Sequence, residues 1–242
     1  MRTLGIIQAR MGSTRLPGKV LRRLGDRTVL ERVVRAARAS GAVTDLVVAT
    51  STAPEDDAVV AECARIGVPC ERGPLDDVLG RFLRVLDTRD SEAVLRFTAD
   101  CPLLDPGLIA QVTAAFAALP EVDYLSTSIA RTLPRGLDVE IVRPGVLRAL
   151  DPLATDYHRT HVTSYIYTHP ELFRVAGLTL QPDLSHLRLT LDTAEDWRLI
   201  SEIVAQLGDE PVPLRTLAGW LAQRPQLGRL NAHVRQKELS KA

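Results

Sequence analysis

Cysteine is scarce in this 242-residue chain, and an excess of charge of either sign is absent. Cys63, Cys70 and Cys101 form no CxxC pair, and an odd number of cysteines sets up no disulfide framework. Lys plus Arg and Asp plus Glu each number 30, so the formal net charge is zero. That balance excludes the basic surplus on which wholesale nucleic-acid binding relies, though not a local cationic pocket. No apolar run approaches the roughly 18 residues of a membrane span. The early "LGII" is too short for the apolar core of a signal peptide, and Arg10 follows at once. A reduced cytoplasm is therefore the expected location, with neither membrane nor nucleic acid as partner. The sequence also lacks internal repeats, low-complexity segments and any linker that would divide it. One domain over residues 1–242 is expected, and with 45% apolar residues it can bury a sizeable core.

What is present is an alternation. "TLGIIQA", "DLVVATS" and "EAVLRFTAD" read as buried strands, and "VPCE" as a short one. Between them, "TVLERVVRAARASG" and "PEDDAVVAECARIG" carry helical spacing and end at Gly41 and Gly67; "LDDVLGRFLRVLDT" and "DPGLIAQVTAAFAAL" are also helical. Strand and helix alternating from Thr3 to Leu119, with strands apolar throughout, predict an α/β fold with a mainly parallel sheet covered on both faces. In such sheets ligands sit beyond the carboxyl ends of the strands. The second half is less regular. "GLDVEIV" and "HLRLTLD" read as strands, and "HRTHVTSYIYTH", "AEDWRLISEIVAQLG" and "PLRTLAGWLAQRP" as helices, with Trp197 and Trp220 in the core. The polar, basic tail from Gly228 reads as loosely ordered.

Directly after the first strand comes "QARMGSTRLPGK", with Arg10, Arg15 and Lys19, Gly12 and Gly18, and the hydroxyls of Ser13 and Thr14. Nothing in it favours a core, and its composition is that of a phosphate-binding loop. It is not a P-loop of the form G-x-x-x-x-G-K-[ST]: five residues separate Gly12 from Gly18, and Val20 follows Lys19, which removes the hydroxyl that would hold Mg²⁺. Nor are its glycines spaced as G-x-G-x-x-G.

The pattern R-x-x-S-x-R-L-P-G-K resembles the loop of the cytidylyltransferases that activate acidic sugars, the KDO and acylneuraminate enzymes. The fuller run "IIQARMGSTRLPGKVL" is most similar to their relatives, the spore coat polysaccharide biosynthesis proteins of SpsF type. "RFTADCPLLDP", "RGLDVEI", "HRTHVTSYIY" and "LRLTLDTAEDW" resemble later blocks of that family, in the same order, to about Trp197. The resemblance implies a Rossmann-like nucleotide-diphospho-sugar transferase fold with a partly antiparallel insertion over about 123–180, and a homodimer. It implies transfer of CMP from CTP to a small sugar, with Mg²⁺ as cofactor and pyrophosphate as product.

Such transfer builds negative charge on the leaving group, which positioned cations stabilise. Arg10, Arg15 and Lys19 are the expected triphosphate clamp, supported by Gln8, Ala9, Gly12 and Ser13. Mg²⁺ takes one or two carboxylates, with waters and phosphates completing an octahedron. Asp100 and Asp192 each close a strand and match the metal-binding blocks, though either could instead cap a helix; Asp192 stands three residues before Glu195. Arg72 is the candidate for base recognition, or else a surface arginine, and Asp76 and Asp77 read as helix N-terminal acids. By resemblance Arg135, Asp138 and Glu140 face the sugar or complete the metal shell, unless these strand-edge acids are simply solvated. Arg131 or Arg135 could meet a sugar carboxylate. His158 and His161 are expected to contact sugar or a subunit interface; zinc would need further ligands that the sequence does not supply. Cys101 is expected to be a buried structural thiol. Two rivals stand beside this reading: a nucleotidyltransferase with another nucleotide or a phosphorylated acceptor, and a non-catalytic nucleotide-binding relative.

Overall fold

The apolar run Thr3–Gln8 forms β1, an interior strand of a mixed sheet in the computed structural model, which describes residues 1–236. A small hairpin of β2 (Arg23–Leu24) and β3 (Arg27–Thr28) leads into α1 (Val29–Ala39), whose N-cap Thr28 accepts from the Glu31 amide. Then follow β4 (Asp45–Ser51), α2 (Asp57–Arg65), β5 (Cys70–Gly73), α3 (Val78–Thr88), β6 (Ala93–Thr98) and α4 (Pro106–Ala117). Asp77 and Asp105 cap α3 and α4 through their carboxylates. The predicted alternation is present. The second half supplies β7 (Tyr124–Ser126), β8 (Glu140–Val142), α5 (Pro144–Ala149), α6 (Tyr157–Thr160), α7 (Ser164–Thr168) and β9 (Val175–Gly177). It closes with α8 (Ala194–Leu207), α9 (Leu214–Ala222) and α10 (Pro225–Gly228).

The seven-stranded sheet runs β5-β4-β1-β6-β8-β7-β9. The first four strands are mutually parallel, β8 is antiparallel to both of its neighbours, and β9 is parallel to β7. This is the mainly parallel, partly antiparallel Rossmann-like arrangement that the sequence predicts. The period of two sorts β1 between two cores. Leu4 and Ile6 pack with Phe82 and Val85 of α3 and Leu147 of α5, while Ile7 packs with Val33 of α1, Phe116 of α4 and Ile200 of α8. All of these side chains are buried, and each contributes about 1.5–3 kcal/mol by leaving water. Trp197 and Trp220 pack, partly buried, against the second of these cores. Among the described residues no helix is long and apolar enough to cross a membrane.

Three sequence expectations change. "HRTHVTSYIYTH" is not one helix but the short α6 and α7, broken at Val162, whose φ is +46°. Val162 and Ile166 are drawn into the α3-side core, and the Thr163 hydroxyl donates to Glu140 at 2.5 Å; tertiary contacts override helical continuity. "HLRLTLD" is extended but makes no strand. It pairs through a single bridge, Arg135 with Arg188, because Leu189 and Leu191 turn into the core while Arg188 and Asp192 enter a polar network. The tail from Gly228 is docked as far as it is described: Asn231 is buried and donates to Arg188 O (2.9 Å) and Asp196 (2.8 Å). Residues 237–242 of that tail lie outside the described residues.

Candidate active site

The loop between β1 and Lys19 is shaped from both ends. Leu16 and Val20 anchor it in the core. The Met11 amide donates to Asp56 Oδ1 at 2.6 Å, and Asp56 is itself buried and also accepts from the Ser51 amide (3.2 Å) and hydroxyl. Gly18 takes φ +65°, a conformation that a side chain would strain, and opens a single helical turn, Lys19–Leu21. This turn sends Lys19 back under the loop.

Lys19 Nζ donates to Asp100 Oδ2 (2.7 Å), Asp192 Oδ1 (2.6 Å) and the Leu191 carbonyl (2.7 Å), which uses all three of its protons. Burial alone would lower the pKa of this ammonium, but the two carboxylates outweigh it and raise the value above 10.5. Burial likewise pushes the Asp100 carboxyl up, and Lys19 more than reverses that, holding it below 3.8. Asp192 also receives Arg15 Nη2 at 2.9 Å and Arg188 Nη2 at 3.1 Å. Neither carboxylate caps a helix. Asp105 caps α4, and the capping box of α8 is Thr193 with Asp196, which leaves the Asp192 side chain to the site.

Above these groups opens a cavity of about 390 Å³ at the carboxyl ends of β1 and β6. Gln8, Ala9, Arg10, Gly12, Ser13, Arg15 and Lys19 all line it, as do Asp100 and Asp192. Arg135, Asp138 and His161 come in from the second half of the chain. Gly136 holds that wall in place: its φ is +102°, and a Cβ there would sit 2.5 Å from the backbone at Leu189 and Thr190. Asp138 accepts from Arg131 Nη1 at 2.5 Å. Cys101 is buried, with its thiol pKa raised by burial first and by Asp100 second, as suits a structural thiol.

Three predicted residues do not reach the cavity. Arg72 donates to Ser51 O (2.8 Å) and Ala53 O (3.1 Å) and pairs with Asp57 (2.7 Å), so it braces the turn that carries Asp56. Glu140 is neither solvated nor turned to an acceptor. It pairs with Arg96 and accepts from Tyr124 Oη (2.8 Å) and Thr163 Oγ1 (2.5 Å) behind the cavity wall. His158 lies against Tyr157 in a tilted ring contact, with 4.0 Å between ring centroids, and shares a 2.8 Å hydrogen bond with Ser164; its pKa is lowered by burial and by His169. Among the described residues no group of three or more His, Cys, Asp or Glu side chains is arranged to hold a metal.

Sequence reasoning missed Arg96 and Arg188. Arg96 lines the cavity, is held by Glu140 and donates to Gln8 Oε1 at 3.1 Å; Arg188 pairs with both Asp192 and Asp196. Each is a lone cation in an otherwise apolar stretch, "VLRFT" and "HLRLTL", and that was the available signal.

A family model described as cytidylyltransferase matches residues 4–219. The chain belongs to the cytidylyltransferase family. It is 36% identical over 217 residues to the spore coat polysaccharide biosynthesis protein SpsF of Bacillus subtilis, covering 86% of this chain and 88% of that one. It is 30% identical to the 3-deoxy-manno-octulosonate cytidylyltransferase of Acidobacterium capsulatum, over 85% and 98% of the two chains. The solved structure of a cytidylyltransferase from Leptospira borgpetersenii matches with a TM-score of 0.90 at 28% identity, over 98% of this chain and 99% of that one.

The donor set of this cytidylyltransferase fits a divalent cation. Asp100 and Asp192 aim at one point, where the Lys19 ammonium stands as a cation already. Two carboxylates with open space above are what Mg²⁺ uses when phosphates and waters complete its shell.

Proposed function

We propose that this cytidylyltransferase transfers CMP from CTP to a hydroxyl oxygen of an acidic sugar destined for surface polysaccharide. The sugar oxygen forms a bond to the α-phosphorus, the bond to the β-phosphate bridging oxygen breaks, and pyrophosphate leaves. The observation that carries this reading is the meeting of Arg15 and Lys19 with Asp100 and Asp192 at one end of a single cavity. Arg10, Arg15 and Lys19 hold the phosphates, guanidinium forks giving paired hydrogen bonds and the ammonium a mobile point charge. Asp100 and Asp192 would hold Mg²⁺, which when bound neutralises phosphate charge and acidifies the acceptor hydroxyl. Arg135 stands at the cavity wall, where a sugar carboxylate would find it. The SpsF and 3-deoxy-manno-octulosonate relatives support CTP and a sugar acceptor.

The test is a thermal-shift panel of CTP, UTP, GTP and ATP, each with and without Mg²⁺, because a ligand that binds only the folded chain raises its melting point. A selective, Mg²⁺-dependent shift with CTP is expected, followed by pyrophosphate release with acidic sugars. Selectivity for another nucleotide, or ADP rather than pyrophosphate as product, would overturn the assignment.

A further inference from the structure

The tail that follows α10 is fastened to the active site at Arg188. Chain ends are usually loose unless something ties them down. The first tie is Asn231, which is buried and whose Nδ2 donates to the Arg188 carbonyl at 2.9 Å. The second is Gln236, whose Oε1 accepts from Arg188 Nη1 at 2.9 Å. Between the two, Ala232, His233 and Arg235 are exposed and Val234 is only half-buried, so core burial does not dictate this course. Gln236 reaches the cavity and lines it together with Arg15, Arg135 and Asp192. Arg188 spans the step from the tail to the candidate metal ligand: Nη1 takes Gln236, while Nη2 takes Asp192 and Asp196, each at 3.1 Å. A guanidinium only donates, so it is the amide oxygen of Gln236 that faces it. That fixes the other end of the amide. Nε2 carries two protons and makes no hydrogen bond among the described residues.

We propose that Gln236 brings the C-terminal tail into the active site as a substrate ligand, its Nε2 donating to a phosphate oxygen of the bound nucleotide beside Asp192. This rests on the cytidylyl-transfer reading above and adds a donor from a segment far from the basic loop in sequence. The placement follows from one shared atom. Asp192 Oδ2 accepts from Arg15 Nη2 at 2.9 Å and from Arg188 Nη2 at 3.1 Å, so the phosphate clamp and the arginine that holds Gln236 converge on the same carboxylate oxygen. A neutral donor suits this corner. Arg15, Lys19 and Arg188 already surround Asp192, and a further cation would compete with a metal ion for its oxygens. An amide donates to a phosphate oxygen without that competition. Arg188 itself is a positioning residue: Nε is bonded to Asp196, and Nη1 and Nη2 are taken as described.

The experiment is equilibrium binding of CTP and inorganic tripolyphosphate, with Mg²⁺, to the full chain and to Gln236→Ala and Gln236→Glu. Gln236 is exposed, so both variants should fold, and melting transitions establish that they do. Gln236→Ala loses the tie to Arg188 and the donor together, and should weaken both ligands by about tenfold, the scale of a hydrogen bond to a charged group. Gln236→Glu separates the two roles. A carboxylate still accepts from Arg188, now with charge assistance, so the melting point should not fall, but it donates nothing and repels phosphate. It should therefore bind both ligands more weakly than Gln236→Ala does. Affinities in Gln236→Glu restored to those of the natural chain overturn the proposal, because they would reduce Gln236 to a fastening for the tail. Unchanged affinities in Gln236→Ala overturn it as well, and so does a loss for CTP without one for tripolyphosphate, which would set Gln236 against another part of the nucleotide. A natural chain that binds tripolyphosphate but not CTP fails at the earlier reading, and the two variants then still test Gln236 with tripolyphosphate alone.

Discussion

Lys19 Nζ lies 2.6 Å from Asp192 Oδ1, an ion pair closed across 173 positions of the chain. The same ammonium holds Asp100 at 2.7 Å, so one cation bridges both candidate metal ligands in the free protein. Phosphates entering the cavity must draw Lys19 toward themselves, and their binding is where its charge is used. Lys19→Ala should therefore weaken CTP binding by about tenfold or more, the scale of a lost charge-assisted hydrogen bond, and CMP binding much less. Calorimetric titration with the two nucleotides checks this; equal losses would place Lys19 away from the β- and γ-phosphates.

Asp100 comes from the turn after β6 and caps no helix, so its carboxylate is not needed for secondary structure. Asp100→Asn keeps the shape, and Lys19 keeps Asp192 as its counter-ion. Turnover with Mg²⁺ should fall by about a hundredfold or more, the usual scale for removing one electrostatic stabiliser, with the melting point little changed. Near-normal turnover would remove Asp100 from the metal site.

The parts of the fold that the sequence made legible are those dictated by local pattern. β1, β4 and β6 are apolar runs between clear breakers, and α1 and α4 carry their own caps. Arg15 and Lys19 stood out as cations in a Gly-rich loop, and Asp100 and Asp192 through the resemblance to the family's blocks; the structure brings the four side chains together. The rest depends on partners far away in sequence. Arg96 is tolerable in a buried strand only because Glu140 arrives 44 residues later, and Glu140 is thereby taken from the cavity. Arg72 is taken by the Ser51 and Ala53 carbonyls. Val162 breaks a helix because the core needs its side chain. No local period encodes any of these.

Arg159 clamps Asp77 with both ends of its fork, Nε to Oδ1 and Nη2 to Oδ2, each at 2.8 Å, and so ties α6 to the start of α3. Burial raises the Asp77 pKa, but Arg159 and the Gly80 amide outweigh it and hold it below 3.8. A carboxyl with a depressed folded pKa contributes stability that is fully present above its unfolded value and is lost as pH falls through the folded one. Arg159→Leu should thus cost about 1 kcal/mol at pH 7, and the gap from the natural chain should close below pH 3.8. Urea denaturation across that range checks it. A gap that persists at low pH would assign the loss to packing instead.

Asp196 is fully buried at the start of α8 and gathers five donors: Arg188 Nε (2.9 Å) and Nη2 (3.1 Å), Asn231 Nδ2 (2.8 Å), and the amides of Asp192 (3.0 Å) and Thr193 (3.1 Å). It therefore joins the docked tail to the backbone that presents Asp192. Removing it leaves Arg188 buried with Asp192 as its only carboxylate among the described residues. Breaking a buried pair from one side costs about 3–5 kcal/mol, whereas removing a neutral cap costs about 1 kcal/mol. Asp196→Ala should accordingly lower stability several times more than Thr193→Ala, although both act on the same helix terminus. It should also weaken CTP binding, because the Asp192 amide loses its anchor. Guanidinium unfolding of the two variants decides the matter: equal losses would mean that the helix cap, and not the buried anion, holds this corner of the site.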